Sequence, residues 1–148
     1  MFELVNDRSW IDNIGERNVR TLNDARRYIE DTAIAMYERL GFGLYAVDLG
    51  ETGETIGICG LVKREGLDDV DLGFAFLPRF WGAGYALEAS GAVLAHATEA
   101  LGCRRIVAIV SPHNGRSIRL LGKLGFRFER MVALKPDAEL LELHAREN

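Results

Sequence analysis

Two loops of this 148-residue chain carry residue types suited to holding an anion. The first is Arg79-Phe-Trp-Gly-Ala-Gly-Tyr-Ala86, where Gly82 and Gly84 separate a stretch that alternates like a strand from one that repeats like a helix. Glycines at such a junction let main-chain N–H groups approach a ligand. A helix start adds unpaired donors and a dipole, which favour negative charge by about 0.3–1 kcal/mol when exposed and up to roughly 2 kcal/mol when partly buried. A pyrophosphate suits that arrangement, and a tight turn with no ligand is the other use of the same glycines. The second loop is Ser111-Pro-His-Asn-Gly115, followed by Arg116 and Ser117. Asn114 and Ser117 stand at the start of a helix, where they serve as caps or as contacts to a ligand shared by both loops.

Two familiar anion loops do not fit. Gly82-Ala-Gly-Tyr-Ala-Leu87 has a leucine where a dinucleotide fingerprint needs its third small residue, and only one helix of βαβ pattern surrounds it. It also lacks the Lys-Ser/Thr pair that a nucleoside triphosphate and magnesium require.

The elements that must position these loops follow from periodicity. Thr21 with Asp24 makes a capping box that starts a helix, and Gly41 and Gly43 end it; Leu22, Ala25, Tyr28, Ile29, Ala33, Met36 and Leu40 form its apolar stripe. A shorter helix is expected over Phe2–Ile14. LYAVDL (44–49) and TIGICGLV (55–62) flank Gly50-Glu-Thr-Gly53 as a hairpin, and a polar loop, KREGLDD (63–69), follows. Val70–Leu77 alternates as a strand, with Val70, Leu72, Phe74 and Phe76 on one face and Asp71, Gly73 and Ala75 on the other. A helix runs to Leu101 with Gly102 behind it, and Arg105–Val110 is a short apolar strand of the kind buried on both faces. Strand, helix and strand form a right-handed βαβ unit with parallel strands, so both loops open at the same carboxyl edge, where α/β folds bind ligands. A helix over Arg116–Leu124 and strands over Phe126–Leu134 and Glu139–His144, around Lys135-Pro-Asp137, complete a mixed α/β sheet in one domain, residues 1–148.

The totals narrow the partners. A net charge of −4 and a pI near 5.4 argue against a chain that grips nucleic acid by its phosphates, and suit a cationic substrate. No apolar run of membrane-spanning length and no signal-like start is present, which points to a cytoplasmic protein. Cys59 and Cys103 lack metal or disulfide spacing, so no metal is expected.

The series DLGFAFLPRFWGAGYALEA (71–89) and VSPHNGRSIRLLGKLGFRFE (110–129), about thirty residues apart in motif spacing, resembles the GCN5-related N-acetyltransferases (GNAT), and within them the RimJ/RimL-type branch typified by ribosomal-protein N-terminal acetyltransferases. The resemblance covers most of the chain. It implies an acyl-CoA N-acyltransferase fold, a central mixed twisted sheet flanked by helices. It also implies acetyl-coenzyme A (acetyl-CoA) as donor and a primary amine as acceptor, either a peptide N-terminus or a small amine or amino acid. With Pro78 as the proline that ends the strand, the family pattern Gln/Arg-x-x-Gly-x-Gly/Ala falls on Trp81, Gly82, Ala83, Gly84, Tyr85 and Ala86, and Arg79 is a spacer. The resemblance then assigns the pyrophosphate to the amides from Gly82 to Ala86. It assigns the pantetheine arm to the backbone of Phe76 and Leu77, and the pantetheine and thiol to Asn114 and Ser117.

Acyl transfer needs a base for the amine, a donor for the oxyanion and a proton for the thiolate. A main-chain N–H at the splayed end of the Val70–Leu77 strand suits the oxyanion. By resemblance Asp71 is the base, acting through water, and Ser117 stands in as the group at sulfur, because Leu121 occupies the position where many relatives carry a tyrosine. Asp71 as a solvent-facing strand residue is the alternative. His113 and His144 are further candidates, each expected at the surface, and His96 is expected to be partly buried helix structure. A coenzyme A-binding module that has lost catalysis is the second functional class. The family's usual first strand, Thr-x-Arg-Leu-x-Leu-Arg-x, is missing before Phe2. The hairpin beginning at Gly43 should therefore present an unpaired edge, which a second copy in a homodimer, an unusual local arrangement or reduced stability would answer for.

The chosen register makes a measurable distinction. Arg79→Ala should weaken coenzyme A binding far less than Gly84→Val in a calorimetric titration; equal losses would contradict the register.

Overall fold

The computed structural model describes residues 1–148. Its first residues form two short helices, α1 (Phe2–Asn6) and α2 (Arg8–Asn13), in place of the single helix expected over Phe2–Ile14. The break falls at Asp7, whose extended backbone (φ −66°, ψ 141°) lets its carboxylate accept the Ser9 N–H and cap α2. A local side-chain bond here competes with helix continuation and wins.

The expected capping box is present. The Thr21 hydroxyl accepts the Asp24 N–H, and Asp24 accepts the Thr21 N–H. The Thr21 hydroxyl, then Arg27 and the N–H groups of Arg20 and Thr21, hold the Asp24 carboxyl down at about 2. A lowered folded value means this stabilisation is present above the ordinary carboxylate range and is lost as pH falls through the folded value. The helix is interrupted: α3 (Leu22–Ile29) passes through a π-helical segment, Glu30–Ile34, before α4 (Ala35–Leu40). Gly41 ends it in the left-handed conformation, φ 76°. Its apolar stripe is only partly covered, since Ala25 is buried while Leu22 remains 67% exposed.

Six strands, β1 (Leu44–Asp48), β2 (Thr55–Val62), β3 (Val70–Phe76), β4 (Arg105–Val110), β5 (Arg127–Val132) and β6 (Leu141–Glu147), form one sheet in the order β1-β2-β3-β4-β6-β5. Only the β3–β4 pair is parallel, joined by α5 (Tyr85–Glu99), and α6 (Gly115–Lys123) follows β4. The last two strands are shifted from their expected bounds, because residues 133–140 form a largely exposed connection instead of extending the hairpin. β1 pairs with β2 alone, which gives the unpaired edge that the sequence implied. That pairing is close: a Cβ at Gly60 would stand 2.0 Å from the Gly43 carbonyl oxygen.

The main core lies between the sheet and α5–α6, where Leu94, Ile106, Leu121 and Phe126 meet. Burying side chains of this size contributes about 1.5–3 kcal/mol each. A second cluster, with Trp10, Val19, Ile58 and Leu77, packs the N-terminal helices over the opposite face. Both faces of β3 are thereby covered, so its alternation separates two packed layers instead of core from solvent.

Candidate functional site

β3 and β4 pair at only two register positions, Val70 with Ile106 and Asp71 with Val107, and then diverge. The ladder on the other side fixes which groups face the gap. Leu77 N–H donates to the Ile56 carbonyl at 3.0 Å, so Leu77 and Ala75 turn their backbone toward β2 while Phe74 and Phe76 turn theirs toward β4. Of the two residues expected to meet a pantetheine arm, Leu77 therefore has its N–H engaged by Ile56, and its carbonyl also accepts from Phe80 N–H. The Phe76 N–H remains on the open side, and the Phe76 carbonyl accepts the Trp81 indole N–H at 2.8 Å.

That indole bond ties the glycine loop to the end of β3. Gly82 and Gly84 have φ of 81° and 90°, values that glycine adopts without the clash a side chain would bring, and a Cβ at either would otherwise meet open space. The glycines are thus required by backbone conformation, not by crowding. Gly84 is the N-cap of α5 without any side-chain cap. The N–H groups of Gly82, Ala83 and Gly84 donate to no backbone acceptor, and those of Tyr85, Ala86 and Leu87 belong to the uncapped first turn. Across the gap, Arg116 at the start of α6 lies over the Trp81 ring at 4.6 Å, joining the two loops by a cation–π contact. Arg79 turns away and pairs with Glu3 and Glu54.

The second loop shows the capping role expected of it. Asn114 caps α6 by accepting the Ser117 N–H at 3.2 Å, while the Ser117 hydroxyl makes no hydrogen bond within the protein. Leu121 is buried in the main core. Both loops open into one cleft of about 1670 Å³. Arg116 lines it beside the glycine loop, Arg119 and Lys123 line it further along α6, and α2, the π-helical segment, α4, Arg64, Asp71 and residues 134–141 contribute to the same cleft. A π-bulge interrupts regular helix geometry there, as such bulges frequently do beside functional sites.

Asp71 is not the solvent-facing strand residue of the alternative sequence interpretation. It is buried, its Oδ2 accepts Arg64 Nε at 2.5 Å, and its Oδ1 accepts the Ile109 N–H at 3.1 Å. The carboxylate thus serves a β4 amide just beyond the point where β3 ceases to pair with that strand. Burial pushes its carboxyl up, opposed by the Arg64 charge and by hydrogen bonds from Arg64 and Ile109.

Two of the three histidines differ from expectation, and His113 is exposed as expected. His144 is buried, bonded to Glu142 at 2.8 Å and packed edge-on against Phe128, away from the cleft. His96 is exposed near the end of α5. His113 alone of the three lines the cleft, with Ser111 Oγ 3.0 Å from its Nδ1 and the Asp12 carbonyl 3.4 Å from its Nε2. Sequence patterning passed over Ser111 and Arg64, and the polar run Lys63–Asp69 carried no sign that one member docks on a strand. No group of three or more His, Cys, Asp or Glu side chains is placed to hold a metal, and no helix is long and apolar enough to cross a membrane.

Residues 1–127 match the family described as the acetyltransferase (GNAT) domain. The chain is 32% identical over 120 residues to the uncharacterized N-acetyltransferase YoaA of Bacillus subtilis, a match covering 80% of this chain and 67% of that one. An acetyltransferase structure from Agrobacterium tumefaciens superposes with TM-score 0.74 at 28% identity, covering 87% of this chain and 74% of the other. RimL, a ribosomal L7/L12 alpha-N-protein acetyltransferase in complex with coenzyme A, shares the fold with TM-score 0.73 at 19% identity, over 87% of this chain and 74% of its own. The chain belongs to the GNAT acetyltransferase family. It spans between 44% and 67% of the length of four curated relatives.

The Trp81 contacts can be separated by substitution. Trp81→Phe keeps a ring for Arg116 but loses the bond to Phe76, and Trp81→Ala loses both, so coenzyme A affinity should fall progressively, by about three- to tenfold for Trp81→Ala. Calorimetric titration checks the order; unchanged affinity in both variants would remove Trp81 from the loop's support.

Proposed function

We propose that the protein is an acetyl-CoA-dependent N-acetyltransferase acting on a primary amine in a ternary complex. The observation that carries this is the run of unpartnered amides from Gly82 to Leu87 beside the β3–β4 gap, with Arg116 next to it and Arg119 and Lys123 on the same cleft. Such a helix start, with positive φ at two glycines, fits a pyrophosphate without a metal. The open N–H of Phe76 suits the arm of the same donor, and family membership supports coenzyme A as its identity.

The chemistry assigned to this chain is proton handling and orientation. An ammonium acceptor must first lose a proton, and His113 is the imidazole available on the cleft: its Nε2–H donates to the Asp12 carbonyl, so Nδ1 is the basic nitrogen and takes the proton through the Ser111 hydroxyl, which passes its own proton on as it receives the acceptor's. The neutral nitrogen then attacks the thioester carbonyl carbon. A C–N bond forms, the carbonyl oxygen carries the negative charge, and an open main-chain N–H of β3 is the donor assigned to it. Collapse breaks the C–S bond and releases the thiolate, which the second nitrogen proton neutralises; Ser117 orients the sulfur and relays that proton. Asp71, the base suggested by resemblance, has both oxygens engaged and is assigned here to orientation. A peptide N-terminus, as in the RimJ/RimL-type branch, and small amines are alternative acceptors for one amine panel. The coenzyme-binding module without catalysis is the result to which a silent panel would point.

Acetyl-CoA at a hundred times its dissociation constant should raise stability by about 2.7 kcal/mol, and ATP or NAD should not. Thiol release with an amine panel should then identify turnover. In that assay His113→Gln should lower kcat by about a hundredfold while leaving coenzyme affinity unchanged. Absence of stabilisation by either coenzyme A form would overturn the assignment.

A further inference from the structure

Arg64 is held in an uncommon way for a residue from a polar loop. Its Nε donates to the buried Asp71 carboxylate, and its two Nη groups make no hydrogen bond to any protein atom. The side chain lines the cleft on the part away from the glycine loop. Fixing Nε leaves the outer edge of a planar fork presented in one orientation, which matches the two oxygens of a carboxylate. Asp71 in turn is fixed by the Ile109 N–H, so the seat beneath the guanidinium belongs to the sheet itself.

The position of this fork is as informative as its chemistry. Asp71 is the last β3 residue paired with β4, and the open backbone of Phe74 begins three residues later. At about 3.3 Å per residue, the anchor lies roughly 10 Å along the strand from that open edge, a span that the length of an arginine and a small acceptor can bridge. Of the other charges that line the cleft, Asp12 is paired with Arg8, and Asp31 and Glu139 are matched in number by Arg17 and Arg39. Leu134 and Leu141, which pack with Leu67 of the same loop as Arg64, supply an apolar wall on this part of the cleft.

We infer that the acceptor is an amine that also bears a carboxylate, as a free apolar amino acid does, with the carboxylate bound by the Arg64 fork on its Asp71 seat. This deepens the proposed N-acetyltransferase function and rests on it. A peptide N-terminus, whose first carbonyl is an amide, and a simple amine both lack the anion that this fork is shaped to receive. Arg64 is then a specificity-determining residue and Asp71 the residue that positions it.

The test compares L-phenylalanine and L-methionine with phenethylamine, 3-(methylthio)propylamine and a phenylalanine-initiated peptide amide in the thiol-release assay. The amino acids should be turned over with the higher kcat/KM. Arg64→Lys keeps a positive partner for Asp71 but loses the fork, and should raise KM for the amino acids by at least about tenfold while leaving KM for acetyl-CoA and for the simple amines unchanged. Higher kcat/KM for phenethylamine or the peptide, or an equal effect of Arg64→Lys on all acceptors, overturns the inference. A binding measurement keeps it separate from catalysis: N-acetyl-L-phenylalanine should stabilise the unmodified protein in a thermal shift where N-acetylphenethylamine does not. Stabilisation without any turnover would sink the proposed activity and retain the carboxylate site; equal responses to the two probes would sink the site.

Discussion

The early end of hydrogen bonding between β3 and β4 governs the rest of the molecule. After two paired positions the strands separate, and the one parallel pair of a mixed sheet opens into a gap lined by main-chain groups. Buried backbone donors without partners are costly, so a gap of this kind persists only where something else meets them. On the β4 side that partner is the Asp71 carboxylate at Ile109 N–H. On the β3 side the Trp81 indole takes the Phe76 carbonyl. Each side chain substitutes for a strand that has moved away, and one of them also fixes the loop where α5 begins.

The cleft that results has two chemically different parts. Near α5 and α6 it offers bare amides and three basic side chains, an environment for phosphate. Beside the start of β3 it offers one seated guanidinium and the apolar side chains of Leu134 and Leu141, while His113 stands in the loop that precedes α6. The two meet at the open edge of β3, to which the proposed function assigns the thioester and the amine. α2 lines the cleft and belongs to the second core, so the packing of Trp10 and Leu77 bears on the site and on stability together.

Much of this was legible locally. Gly82 and Gly84 announced a tight turn between strand and helix, Thr21 and Asp24 a capping box, and Gly41 and Gly102 helix ends, because those features depend on a few neighbouring residues. The pairing of the glycine loop with Asn114 and Ser117 was legible because strand, helix and strand must bring both loops to one edge. Features set by distant contacts were not. Arg64 reads as one more charge in a polar run until β3 brings Asp71 beside it. His144 reads as a surface residue until Phe128 and Glu142 enclose it. The break at Asp7 and the π-helical segment at Glu30–Ile34 likewise departed from a smooth helical period. The Leu77 amide was assigned to a ligand by resemblance, whereas the ladder with β2 uses it.

Amide hydrogen exchange with and without coenzyme A tests the central claim most directly, since it reads the backbone groups on which the site depends. Binding should slow exchange at Gly82 to Leu87 and at Phe76, while the Leu77 amide, already bonded to Ile56, should change little. Protection confined to other segments, or no protection at the glycine loop at saturating coenzyme A, would contradict the account of the β3–β4 gap as the coenzyme site.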